Sequence, residues 1–279
     1  MKNLKGKNAL LTGGSRGLGP VIAEAFAGEG INIALAARSE EELTKVADNL
    51  SSYNIRTAAI PADITDETSL QHLVETTIDT LGSIDILVNN AGIEWVSRYV
   101  SLSPEHIRRI IKTNLMGPMV LTRLVLPHML ERKSGHIVTM SSLGGKKGSP
   151  YSATYAATKA GLVEWTSGLR QELKGTGVGA SVICPGFVSD IGMFAVYNKR
   201  APKIVGETTP EKVANAVIRA IEKDVQEIIV SPGAIIVMKL LDAIHPGIIS
   251  TFLRYTGVYD FYRGQADDNE KELREADSD

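Results

Sequence analysis

Short apolar runs alternate with longer segments of helical periodicity from the first residues of the chain to Ser231. Each run spans four to seven residues and is bounded by turn-forming residues, which is typical of buried strands. The runs predict strands at residues 8–11, 31–37, 56–60, 84–88, 136–140, 179–184 and 227–230. The segments between them predict helices at residues 20–29, 40–50, 67–81 and 152–174, and in the stretches that begin at Pro104 and Pro210. Such alternation builds βαβ units, so we expect an α/β fold, a doubly wound parallel sheet of about seven strands with helices on both faces.

The pattern changes after Ser231. Two apolar segments, residues 234–241 and 244–253, have Lys239 and Asp242 as their only charges in and between them. We expect a pair of helices here that packs on the core or on a subunit partner. An apolar lid over a substrate cleft and a patch in peripheral contact with lipid are the alternatives.

This change of pattern divides the chain into three parts. Residues 1–232 form the α/β domain, and residues 233–263 form a C-terminal helical extension packed on it. Residues 264–279 carry seven acidic and two basic side chains, so we expect a frayed, disordered tail.

Composition excludes several classes of protein. The 30 Lys and Arg residues balance 32 Asp and Glu residues, so no broad basic surface for nucleic acid is predicted. Cys184 is the single cysteine, which excludes a disulfide framework, and the five histidines show no ligand spacing, so no metal site is predicted. The longest uncharged run has 15 residues, too short for the roughly 20 that span a bilayer. No apolar stretch follows the basic N-terminus, so we expect a cytoplasmic protein.

A glycine-rich turn follows the first predicted strand and opens a helix. It reads Thr12-Gly-Gly-Ser-Arg-Gly-Leu-Gly19. A phosphate-bearing ligand needs close backbone approach, free N–H groups and the positive end of a helix dipole, and glycines permit that approach. The turn therefore predicts a nucleotide site that contains Gly13, Ser15, Arg16, Gly17, Leu18 and Gly19.

The end of the second strand indicates which dinucleotide binds. A site that binds the ribose 2′-hydroxyl of NAD(H) needs a carboxylate at this position, whereas this chain has Arg38. Arg38 can pair with a 2′-phosphate, and Arg16 in the turn is the second candidate cation. We therefore predict NADP(H) rather than NAD(H); ordinary surface roles for both arginines are the alternative.

Tyr155 and Lys159 lie four residues apart in a predicted helix and share one face. A free tyrosine has a pKa near 10 and is a poor base at neutral pH, but a nearby ammonium favours the phenolate. We expect Lys159 to lower the pKa of Tyr155 towards working pH, where proton exchange with an alcohol oxygen is useful. Tyr151 has no basic residue four positions on and is expected to be structural or to border the substrate.

These motifs, together with Asn89-Asn-Ala-Gly92, resemble the short-chain dehydrogenase/reductase family in order and spacing over roughly residues 5–232. The resemblance implies a Rossmann fold and a homodimer or homotetramer. It also implies a Ser-Tyr-Lys-Asn tetrad, in which Tyr155 is the general acid/base and Lys159 holds the nicotinamide ribose. Ser142, which fits the family position better than Ser141, polarises the carbonyl, and the backbone of Asn114 holds a proton-relay water.

Further cofactor contacts are implied by the same resemblance. Asp63 and Ile64 bracket the adenine, and a loop after the sixth strand faces the nicotinamide. The cleft floor is formed by Asn89, Ala91 and Gly92, and the loop contributes Pro185, Gly186 and Val188. Asp190 departs from the family, which usually has a threonine at this position. The geometry of the segment from Ser189 onward, which forms a lid over the cofactor in the family, therefore cannot be inferred from the resemblance.

The activity implied is NADP(H)-dependent interconversion of a carbonyl and an alcohol on a small molecule. Substrate choice is expected in residues 94–100, 144–151 and 190–207, whose apolar members indicate a hydrophobic substrate. They are Trp95, Tyr151, Ile191, Met193, Phe194 and Tyr197.

Three alternatives stay open. A 3-oxoacyl-[acyl-carrier-protein] reductase predicts a basic docking patch, for which Arg108-Arg109 and Arg132-Lys133 are candidates. A non-catalytic NADP(H) sensor would not need the whole tetrad. A membrane-surface protein would use residues 234–253 as its anchor.

Overall fold

The computed structural model describes residues 1–192, 201–202, 205–232, 247, 251, 254–255 and 257–276, with side-chain surroundings up to residue 271. Met193, Phe194, Tyr197 and nearly all of the apolar segments at 234–253 lie outside this part. Predictions made for them are therefore not tested.

Seven strands alternate with helices in the described part of the chain. The order is β1 (Asn8–Thr12), α1 (Leu18–Gly28), β2 (Asn32–Ala37), α2 (Glu40–Asn49), β3 (Thr57–Pro61), α3 (Glu67–Leu81), β4 (Ile86–Asn89), α4 (Pro104–Ile111), α5 (Gly117–Glu131), β5 (Gly135–Met140), α6 (Ala153–Glu172), β6 (Val178–Pro185), α7 (Pro210–Lys223), β7 (Glu227–Val230) and α8 (Val258–Ala276).

All seven strands are parallel and lie in the order β3-β2-β1-β4-β5-β6-β7. Successive side chains of a strand point to opposite faces. Leu10 and Leu11 in β1 are both fully buried, Leu11 under α1 and α7 and Leu10 under α3 and α5. The predicted Rossmann-type fold is confirmed.

The helix predicted from Pro104 differs from the observed one. It consists of α4, a π-helical turn at Lys112–Met116, and α5. The start is as expected, because the Ser103 hydroxyl accepts a hydrogen bond from the N–H of His106 and Pro104 occupies the first turn. The π turn contains Asn114, whose inward side chain is described below.

The C-terminal residues form a helix where a disordered tail is predicted. Residues 264–276, predicted as a frayed tail, belong to α8. Gln265 and Ala266 are buried, and Asp267 and Glu270 each form an ion pair with Arg98. Two of the acidic side chains that suggested solvation, Asp267 and Glu270, therefore help to hold α8 on the body of the protein. None of the helices in the described ranges combines the length and the apolarity needed to cross a bilayer.

Candidate active site

A long cleft opens at the carboxyl ends of the strands, beside the point where the strand order switches between β1 and β4. Doubly wound sheets bind their ligands in this crevice. The cleft encloses about 1180 Å³. Most of the predicted site residues line it: Gly13, Ser15, Arg16, Gly17, Leu18, Arg38, Asp63, Ile64, Ala91, Gly92, Ser142, Tyr155, Lys159, Pro185, Gly186 and Val188.

Gly19, Asn89 and Asn114 are predicted site residues that do not line the cleft. Asn89 is buried, and its Nδ2 donates a 3.0 Å hydrogen bond to the hydroxyl of Thr122. That contact ties β4 to α5, so the Asn89 side chain supports the cleft floor from behind.

The glycine turn fits a dinucleotide by its backbone geometry. Gly13 has a φ of 66°, and a Cβ on Gly19 would lie 2.1 Å from the carbonyl oxygen of Gly13. Only glycine permits this tight return of the chain. Helix α1 begins at Leu18 without a side-chain cap on its first N–H groups. Those groups and the helix dipole suit a phosphate, so the residues present fit the predicted ligand.

Charged groups surround the same end of the cleft, where β2 and β3 end. Arg16, Arg38 and Arg109 line it together with Asp63 and Glu42. Burial raises the pKa of Asp63, but hydrogen bonds from the Thr65 N–H and hydroxyl and the charges of both Arg38 and Arg109 outweigh burial and lower it. Asp63 is therefore a well-fixed carboxylate at the predicted adenine position. The arginines give this end a positive field, which Glu42 offsets in part.

Tyr155 and Lys159 occupy one face of α6. The Lys159 side chain is buried, and its Nζ lies 5.6 Å from the centre of the Tyr155 ring and donates a 2.8 Å hydrogen bond to the carbonyl of Met140. Burial lowers the pKa of Lys159 to about 8, against the opposing charge of Glu94.

The pKa of Tyr155 shifts in the direction opposite to the one expected. Burial, reinforced by the Glu94 charge, raises it above its ordinary value, although a hydrogen bond with Ser142 lowers it in part. The expectation rested on the attraction of the Lys159 ammonium alone. Desolvation of the phenolate is the larger effect.

The two serines at the end of β5 have different surroundings. Ser141 is buried, and its hydroxyl donates a 2.8 Å hydrogen bond to the carbonyl of Lys159 on α6. Ser142 lines the cleft, accepts a 3.1 Å hydrogen bond from the N–H of Gly144, and is hydrogen-bonded to Tyr155. Ser142 is thus the serine that faces the tyrosine.

Asn114 is fully buried at the centre of the π turn. Its Oδ1 accepts from the Ile93 N–H and its Nδ2 donates to the Ile93 carbonyl, both at 2.8 Å. This paired contact holds the chain after Gly92 against the helix. Helical π turns occur frequently at functional sites.

The loop after β6 closes the far end of the cleft. Its backbone is fixed because the Gly186 N–H donates to the carbonyl of Val230 and Val188 pairs with Thr208. Asp190 has a φ of 61° and lies outside the cavity lining. The carboxylate that departs from the family pattern therefore does not face the cleft.

Some lining residues were not predicted as site residues. Glu94 lines the cleft near Tyr155 and accepts a hydrogen bond from the Ser152 hydroxyl. Its position in the predicted substrate stretch 94–100 was the available signal. The C-terminal helix contributes Val258, Phe261 and Tyr262, where the sequence predicts only a helical extension.

The apolar residues expected in the substrate region are divided between two cavities. Ile191 lines the main cleft. Trp95 and Tyr151 line a separate cavity of about 330 Å³. Trp95 stacks on His106 with ring centres 4.2 Å apart, and Tyr151 donates a hydrogen bond to Tyr259. Both have structural surroundings outside the main cleft.

Comparison with known proteins gives consistent matches. The profile of the short chain dehydrogenase family matches residues 7–201. Ketoacyl reductase HetN of Nostoc sp. is 42% identical over 277 residues, which cover 98% of this chain and 96% of that protein. An uncharacterized oxidoreductase of Staphylococcus aureus is 34% identical over 83% of this chain and its own full length. The crystal structure of the Brucella melitensis 3-ketoacyl-(acyl-carrier-protein) reductase complexed with NADH matches with a TM-score of 0.77 at 26% identity, over 82% of this chain and 98% of that chain.

Proposed function

The chain belongs to the short-chain dehydrogenase family, and on this basis we propose that it is an NADP(H)-dependent oxidoreductase that reduces a ketone or aldehyde on a hydrophobic small molecule. The main support for this proposal is that Ser142, Tyr155 and Lys159 line one end of a continuous cleft, whereas the glycine turn and the arginines line the other end. The family and the NADH in the Brucella structure support a nicotinamide cofactor.

The proposed reaction uses the groups at the β5 end. The Tyr155 hydroxyl gives its proton to the substrate carbonyl oxygen, and the Ser142 hydroxyl donates a hydrogen bond to the same oxygen as charge develops there. Lys159 favours the phenolate that remains, and Asn114 supports the path that restores the proton. A bound reduced nicotinamide supplies the hydride. The raised pKa of Tyr155 keeps the phenol protonated at neutral pH, which is the form that can give a proton to the carbonyl oxygen.

NADP(H) is proposed over NAD(H) because Arg16 and Arg38 both line the adenosine end of the cleft. A 2′-phosphate there forms charge-assisted hydrogen bonds with a guanidinium. The carboxylates of Asp63 and of Glu42, which accepts a 3.0 Å hydrogen bond from the Ser15 hydroxyl, oppose an added phosphate at this end.

Reduction of a 3-oxoacyl-[acyl-carrier-protein] is the second candidate. It is favoured by the names of the Nostoc relative and of the Brucella structure. The basic patch suggested for it does not form one surface. Arg109 lines the cleft, whereas Arg132 donates a hydrogen bond to the carbonyl of Ile84, at the amino ends of the strands.

The test is NADPH consumption by the purified protein with carbonyl compounds of graded size, including acetoacetyl-carrier protein. NADH, Tyr155→Phe and Arg38→Ala run alongside. We expect turnover that Tyr155→Phe abolishes, and a preference for NADPH that Arg38→Ala reduces by about 10- to 100-fold, the value of a charge-assisted hydrogen bond. NADPH binding without turnover would favour the sensor, and a preference for NADH would refute the proposed role of the arginines.

A further inference from the structure

The C-terminal helix α8 forms part of the cleft wall. Val258, Phe261 and Tyr262 line the cleft, and Val258 and Phe261 are buried. The Phe261 ring packs edge-on against Phe187, with ring centres 5.8 Å apart, and against Tyr262 at 5.3 Å. Phe187 lies between Gly186 and Val188 in the loop at the predicted nicotinamide position. An aromatic cluster therefore borders the place where the substrate carbonyl is expected.

The same helix is held to the loop of residues 96–98 by polar contacts. Arg98 forms ion pairs of 2.5 Å with both Asp267 and Glu270. The Asn269 side chain donates a 2.7 Å hydrogen bond to the carbonyl of Val96. Helix α8 therefore bridges the loop of residues 96–98 and the loop that contains Phe187.

Two features define the chemistry that this wall would accept. The acidic side chains Asp267 and Glu270 pair with Arg98, while the surface of α8 in the cleft is aliphatic and aromatic. Near Tyr155 the cleft also contains the Glu94 carboxylate and the Lys159 amine, whose charges offset each other, and Lys146 is paired with Glu227, so an anionic group gains little attraction beside the carbonyl. The seven-stranded sheet is complete at Val230, so α8 adds to the family fold without being needed to build the sheet.

We propose that α8 is the specificity-determining wall of the cleft, in which Val258, Phe261 and Tyr262, with Phe187, contact the apolar part of a neutral carbonyl compound. This inference rests on the proposed function and names its substrate class, carbonyl compounds with a long alkyl or ring group. Phe261 is the larger of the two buried α8 residues in the wall.

Phe261→Ala tests the wall, with Phe261→Leu as a variant that keeps the position apolar and filled. Tyr255→Ala is the matched control, because Tyr255 lies in the same C-terminal region and is 87% exposed. The probes are butanone and methyl octyl ketone with NADPH. We expect Phe261→Ala to lower kcat/KM for methyl octyl ketone by about tenfold or more, the usual cost of lost apolar contact in a binding pocket, and for butanone by less than about twofold. Phe261→Leu should retain most of the activity.

An equal loss for both ketones, no loss, or the same loss in Tyr255→Ala would overturn the proposal. Calorimetric titration of methyl octyl ketone into Tyr155→Phe, with and without Phe261→Ala and with NADP⁺ present, separates this inference from the proposed function. Binding that depends on Phe261, together with no turnover of either ketone by the wild type, would retain the wall and refute the reductase. Turnover of both ketones without dependence on Phe261 would retain the reductase and refute the wall. Absence of both binding and turnover would refute the two proposals together.

Discussion

Glu94, which lines the cleft, and the buried Ser152 are joined by a hydrogen bond of 2.5 Å, with the serine hydroxyl donating to the carboxylate. This contact holds a negative charge close to both Tyr155 and Lys159, and that charge raises the pKa of each. The electrostatics of the proposed reaction centre therefore depend on a residue outside the Ser-Tyr-Lys-Asn set.

Glu94→Gln should shift the pH dependence of alcohol oxidation by the protein. Removal of the charge lowers the pKa of Tyr155, so the phenolate that accepts the alcohol proton forms at lower pH. We expect the acidic limb of the kcat/KM profile to move to lower pH, measured with NADP⁺ and an alcohol substrate. Glu41→Gln is the control, since Glu41 is exposed on α2 and pairs with Lys45. A profile that does not move would show that Glu94 does not act on Tyr155.

Gly19→Ala and Gly28→Ala, both in α1, should have opposite effects. A Cβ at Gly19 would lie 2.1 Å from the Gly13 carbonyl, whereas one at Gly28 has no atom within 4 Å. We expect Gly19→Ala to lower the free energy of unfolding by about 1–3 kcal/mol, as overpacking does, and to weaken NADPH binding by at least about tenfold. Gly28→Ala should add about 0.4–1 kcal/mol through helix propensity and lower unfolded-state entropy. Urea unfolding and NADPH fluorescence titration measure both, and similar effects of the two substitutions would contradict the steric argument.

Most of the fold and of the nucleotide cleft could be predicted from local sequence because the signals are local. Leu10 and Leu11 belong to one apolar run, and Gly13 and Gly19 to one turn, so short windows contain the relevant pattern. The wall formed by Phe261 has no such signal. It depends on Arg98 and Phe187, which are more than seventy residues away in the chain.

The prediction that Lys159 lowers the pKa of Tyr155 was wrong for a related reason. Spacing alone showed that Tyr155 and Lys159 share a helix face, but the pKa of the phenol depends on how far the fold removes it from water. Burial and the position of Glu94 are properties of the assembled cleft. Neither can be inferred from a pair of residues four apart.

His136 should make the stability of the protein depend on pH. Its side chain is 2% exposed and its Nε2 lies 2.8 Å from the Ser181 hydroxyl. Burial lowers its pKa from 6.5 to about 4, although the charge of Asp224 opposes this. Between these values the unfolded chain binds a proton that the folded chain does not, so stability present above pH 6.5 is lost as the pH falls towards 4.

The difference of 2.5 pH units corresponds to a loss of up to about 3 kcal/mol. The measurement is the free energy of urea unfolding at several values of pH, in the wild type and in His136→Gln, which keeps a polar group near Ser181. We expect the wild type to lose more stability than the variant on acidification. His72→Gln, at an exposed position, should follow the wild type. Parallel curves for wild type and His136→Gln would show that His136 does not titrate in this way.

Arg98→Met should loosen α8 without unfolding the sheet. Its guanidinium joins Asp267 and Glu270 to the body of the protein, and the pair with Glu270 is the better shielded, since that carboxylate side chain is 14% exposed. Exposed ion pairs contribute little, so the expected effect is local. We predict that amide hydrogen exchange in residues 258–271 accelerates by about two- to fivefold while exchange in β1 and β4 is unchanged. Lys45→Met, which removes the exposed ion pair with Glu41, is the control and should leave α8 unaffected. Faster exchange throughout the sheet would show that α8 unfolds in the same cooperative unit as the core. Unchanged exchange in α8 would show that the contacts of Asn269 and Tyr259 hold the helix without Arg98.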